Sequence, residues 1–192
     1  MKWIALAIVV FIGGYTFLTL HYRKAGRAYE PYNDMKNRAN VGRLLAAGYQ
    51  RIPLPVQRPA DRMQPIASAK IASATGGLPA GLRQTLVDSP DLPSEITNVA
   101  APPEIGARND YVFRFACTLP DPKRLLSGAD LYVHGEEIVI APDYEKVTGG
   151  LLARTNDNVV QLTVPAGALK PGRYRVTLVG AQSSRAWTLT VR

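Results

Sequence analysis

The chain has 192 residues, 46% hydrophobic and 20% charged, and a formal net charge of +8, proportions that exclude a disordered or fibrous protein. One cysteine, Cys117, excludes an intrachain disulfide, and two histidines with a single thiol cannot complete a zinc site within one chain. The charge is unevenly spread: residues 21–65 carry nine basic side chains against three acidic, residues 94–192 eleven against ten. That placement favours anionic lipid headgroups as partners, at about 1 kcal/mol per basic residue near a membrane surface, and no nucleic acid is expected.

Residues 1–22 read as a transmembrane anchor. Trp3 to Leu20 contains no charged residue, and eighteen helical residues cover about 27 Å, close to the hydrocarbon core of a bilayer. A cleavable signal has a shorter apolar region and a small-x-small site, whereas this run ends in Phe-Leu-Thr-Leu-His-Tyr-Arg-Lys. Ala7, Gly13 and Gly14 are candidates for close packing against a partner helix. One basic residue precedes the run and five follow it within about twenty residues, so the positive-inside rule puts the C-terminal part in the cytoplasm of a single-pass cell (inner) membrane protein. The opposite, extracytoplasmic orientation is the alternative.

Residues 23–51 form a basic membrane-proximal segment. Asn33-Asp34 can cap a short helix that ends before Gly48. Met35, Val41, Leu44 and Leu45 make a modest apolar stripe, and Arg23, Lys24, Arg27, Lys36, Arg38 and Arg43 are candidate membrane-surface residues. Packing of the helix on its own domain is the competing reading.

Seven prolines between residues 52 and 93 point to a Pro-rich extended arm without long regular elements, except a helical turn at 79–87. Its apolar residues suit burial on another protein.

Alternation takes over in residues 94–192. Tyr111, Phe113, Phe115 and Cys117 alternate with less apolar neighbours, as do Leu131 and Val133, Val160 to Val164, Tyr174 to Leu178 and Trp187 to Val191. Period two means strands with one buried face, and seven or eight of them are expected. In Leu-Lys-Pro-Gly-Arg-Tyr-Arg-Val (169–176), Pro-Gly makes a turn and Tyr174 can return its hydroxyl to nearby backbone, the tyrosine-corner device. This segment, with Ser-Arg-Ala-Trp-Thr-Leu-Thr-Val (184–191), resembles the last strands of immunoglobulin-like and fibronectin type III-like domains. The resemblance covers residues 94–192 and lacks the cysteine pair of antibody-type domains. It implies a mainly β chain ending in an antiparallel Ig-like β-sandwich, and no functional residues.

No nucleophile-elbow, P-loop or Cys-x-x-Cys motif occurs. His134 reads as an exposed strand-end residue and Cys117 as a small core residue. No catalytic, cofactor-binding or metal-binding residue and no cofactor is assigned, and enzymatic activity is not expected. The expected function is a non-catalytic accessory subunit of a multi-subunit membrane complex that binds other subunits through arm and sandwich. A membrane-anchored ligand-binding or assembly-chaperone module is the alternative, and an enzyme site completed by another subunit a second one.

Overall fold

In Tyr111–Thr118 every second side chain, from Tyr111 to Cys117, is buried, and each intervening one is half-buried. Such a strand must cover one face against other strands, and the computed structural model supplies them. It describes residues 2–21, 31–57, 68–121, 123–146 and 157–192. The helices are α1 (Lys2–His21), α2 (Pro31–Ala46) and α3 (Ala80–Thr85). The strands are β1 (Gln50–Gln57), β2 (Ala72–Thr75), β3 (Glu95–Ala100), β4 (Glu104–Ile105), β5 (Tyr111–Thr118), β6 (Arg124–His134), β7 (Glu137–Lys146), β8 (Asp157–Val164), β9 (Gly172–Leu178) and β10 (Ser183–Val191). The chain divides into two compact units, Met1–Asn37 and Arg38–Arg192.

In the first unit, α1 is the one helix among the described residues long and apolar enough to cross a membrane. Thr16 and Thr19 donate their hydroxyls to the carbonyls of Ile12 and Tyr15 at 2.8 and 2.6 Å, so these polar groups are satisfied within the helix, as an apolar medium requires.

In the second unit eight strands close into a barrel, ordered β10-β3-β5-β8-β1-β6-β7-β9 and back to β10. The β7–β9 and β10–β3 pairs are parallel and the other six antiparallel. β2 and β4 bond to β10 from outside the ring. The fold is mainly β, but the expected Ig-like or fibronectin type III-like sandwich is overturned: the strands form one closed ring, not two facing sheets. Period-two alternation reports only that one face is buried, and it reads the same in both architectures. What separates them is long-range pairing, here that of β1 with both β6 and β8 and of β10 with both β9 and β3.

The expected Pro-rich arm needs the same correction. Residues 50–57 are a strand of the ring, with Ile52, Leu54 and Val56 turned to the core and Pro53 and Pro55 exposed. Residues of one parity in an antiparallel strand direct N–H and C=O to the same edge. The two prolines therefore remove donors from a single edge and leave Gln50, Ile52 and Leu54 to carry the ladder with β6. On the depleted edge β1 pairs β8 only at Val56 and Gln57. The rest of the arm contributes β2 and α3. Residues 151–154, whose Leu-Leu-Ala-Arg run could supply the eighth of the expected strands, lie outside the described residues.

The barrel interior is filled by side chains. Phe113 packs against Tyr111, Phe115 and Trp187 at ring-centre distances of 5.5, 6.5 and 5.9 Å, within the range of favourable aromatic contacts. Cys117 belongs to this core. A void between Tyr111, Val164, Leu169 and Val191 measures about 10 Å³, room for one water at most. The polar tips of Trp187 and Tyr111 are paired: Trp187 Nε1 donates to the Tyr111 hydroxyl at 3.0 Å, which donates to Pro102 O at 3.1 Å, whereas the buried hydroxyls of Tyr144 and Ser183 have no hydrogen-bond partner among the described residues. Tyr174 donates its hydroxyl to Lys170 O at 2.9 Å across the Pro-Gly turn, so the tyrosine-corner bond stands inside a barrel.

Tyr111→Phe keeps the ring volume but leaves Trp187 Nε1–H without its acceptor, and a loss of about 1–3 kcal/mol is expected in chemical denaturation. Burial also raises the pKa of Tyr111 and of Tyr132, and that of Tyr144 to about 12. The unfolded chain releases these protons near pH 10, before the folded one does. Stability is therefore fully present below about pH 10 and is lost as pH rises toward 12. Melting temperature is expected to fall between pH 10 and 12, and less steeply in Tyr144→Phe.

Candidate functional site

With the interior filled, the accessible surface of the described barrel is its outer wall. Its most built-up part is over β6 and β7, where both faces are buried: Tyr132, Val139 and Ala141 point away from the interior yet are only 3, 5 and 1% exposed. They form a second core with Leu44 of α2, Leu82 of α3, and Leu86 and Val179. Two polar contacts tie α2 to the segment around α3: Val87 N donates to Asn40 Oδ1 at 2.7 Å, and Arg43 Nη2 donates to Gln84 O at 2.9 Å. Arg43, expected to face lipid, thus has its guanidinium engaged by its own domain.

α2 ends in a turn that aims β1 into the ring. Gly48 has φ 78°, a left-handed conformation favouring glycine. Gly48 N donates to Leu45 O and Tyr49 N to Leu44 O, at 3.0 and 2.8 Å, the bond pair of a Schellman stop. Tyr49 then stacks on His134, rings 4.7 Å apart, which accounts for this exposed histidine at the end of β6. Burial, and secondarily Glu137, raises the Tyr49 pKa. One step along β1, Arg51 donates to Asp130 Oδ2 at 2.8 Å, and the Tyr132 hydroxyl donates to the same oxygen at 3.3 Å. That hydrogen bond holds the Arg51 pKa above its ordinary value. The cluster fastens β1 to β6 on the outer wall.

Two recesses flank this layer. The first, of about 640 Å³, runs between α2 and β1 and is lined mainly by Val41, Leu44, Leu45, Tyr49 and Pro53. The second, of about 590 Å³, lies over β9 and β10 and is lined by Lys70, Glu136, Glu137, Arg173, Arg175 and Thr188, among others. Glu137 and Arg175 are register partners in the β7–β9 ladder. The first recess is apolar, the second one of mixed charge.

Of the expected helix-packing residues, Gly13 and Gly14 lie on open helix surface, where an added Cβ would meet nothing within 4 Å; the Ala7 side chain lies outside the described residues. Arg23, Lys24 and Arg27 also lie outside them. Lys36 is half-buried and Arg38 exposed. No group of three or more His, Cys, Asp or Glu side chains placed to hold a metal occurs among the described residues. Comparison of the chain with family models, curated proteins and solved structures finds no match.

The two faces of α2 separate cleanly. Leu44 is 2% and Leu45 68% exposed, so Leu44→Ala is expected to cost about 2–4 kcal/mol in the isolated protein. Leu45→Ala is expected to stay within about 0.5 kcal/mol of the parent; urea denaturation of both variants checks this.

Proposed function

We propose that this protein is a non-catalytic accessory subunit of a larger membrane complex, anchored by α1 and binding other subunits through the outer wall of its barrel. The observation that carries this reading is a filled barrel in a chain that also carries an apolar N-terminal helix. A barrel that carries a small ligand keeps a cavity for it, whereas here aromatic and aliphatic side chains meet at the centre and the recesses are external. The mixed-charge recess suits a protein partner, because alternating signs across an interface set register and reject wrong partners. We place the barrel in the cytoplasm, following the excess of basic residues after α1.

Purification of the full chain from its native membranes in mild detergent is expected to bring a partner in fixed proportion. Migration as a free monomer with nothing attached would overturn the reading. The double charge reversal Lys70→Glu with Arg173→Glu, which leaves the Glu137–Arg175 register pair in place, is expected to reduce partner recovery at least tenfold while the barrel stays folded by circular dichroism. Protease added to sealed right-side-out vesicles is expected to leave the barrel intact, and its digestion there would reverse the orientation.

A further inference from the structure

We propose that the exposed side of α2, together with Pro53 of β1, rests in the headgroup region of the bilayer that α1 spans, so that the barrel is seated on the membrane by a fixed wall. This rests on the reading of α1 as a membrane helix.

The sides of α2 are assigned by contact. Asn40, Arg43 and Leu44 face the domain. At 3.6 residues per turn, Met35, Arg38, Val41 and Leu45 fall on the other side. Met35, Val41 and Leu45 are 69, 47 and 68% exposed, and Pro53 continues the apolar strip along the recess.

Chain length and the charge of the connector point to the bilayer as the occupant. Nine residues separate His21 from Pro31, and even fully extended they reach no more than about 36 Å. α1 remains apolar up to Phe17 and Leu18, so a spanning α1 brings its C-terminal end to the interface, and α2 must start within that reach of it. Three of the nine connecting residues are Arg23, Lys24 and Arg27, a charge that suits anionic headgroups. An apolar strip with a basic residue among its members is the pattern of a helix lying in an interface. The recess over β9 and β10 differs in that both acidic and basic groups, Glu136, Glu137, Arg173 and Arg175, share its lining with Tyr174 and Trp187.

The test uses the full chain in lipid nanodiscs, with Leu45→Cys carrying an environment-sensitive fluorophore. Arg173→Cys serves as the control position, and the buried Cys117 is left in place. Quenching by a lipid-borne nitroxide is expected to be at least threefold stronger at position 45 than at position 173. It should strengthen with phosphatidylglycerol, and Val41→Asp should reduce it at least twofold. Quenching at position 45 by aqueous iodide, with none from the lipid, would overturn the proposal. Shielding from both quenchers would also overturn it, indicating a second copy if it depends on protein concentration and another protein if it appears only in the native complex. Alkaline extraction separates the two levels: a chain released from the membrane removes the anchor itself, whereas a retained chain with position 45 in water removes only the seating of the barrel.

Discussion

Closure of the ring through β1 is the constraint on which the rest depends. A sheet of this size with open edges would expose unpaired backbone donors and acceptors, and closing it removes those edges. Here the strand that bridges β6 and β8 comes from residues 50–57, far from its partners in sequence and carrying two prolines. The arrangement works because both prolines share one parity and because Ile52, Leu54 and Val56 supply the inward face. The Arg51–Asp130–Tyr132 cluster secures the same strand from outside.

The hydrophobic residues are divided between two layers. The larger fills the barrel; the smaller lies between the outer wall of β6 and β7 and the helices α2 and α3. The helices therefore cover a wall that would otherwise present Tyr132, Val139 and Ala141 to water. Because α2 both covers this wall and leads through Gly48 into β1, the segment that joins the apolar helix to the barrel is part of the packed structure on one side only. Its other side is left for something outside the described chain.

Much of the strand content was legible, since inward residues such as Phe113, Leu162, Val176 and Leu189 alternate strictly with more exposed neighbours. The apolar helix and the Gly48 stop were legible too, the first by composition and the second because only a left-handed residue ends a helix in that way. Closure was not, because period two carries no information about which strands meet. The prolines of β1 concealed a ring strand, although Ile52, Leu54 and Val56 already alternate with Arg51, Pro53 and Pro55. The second buried face had a signal in Ile138-Val139-Ile140-Ala141, an unbroken apolar run of the kind seen in strands covered on both sides. The engagement of Arg43 with Gln84 was beyond reach, since nothing local marks a contact with a carbonyl forty-one residues away.

β10 bonds to β9 and β3 in the ring and to β2 and β4 outside it. The ring has no closed form until Ser183–Val191 has been made, so during synthesis β3 and β9 wait without the strand that joins them. Such non-local pairing makes folding slow and leaves strand edges exposed in the interval.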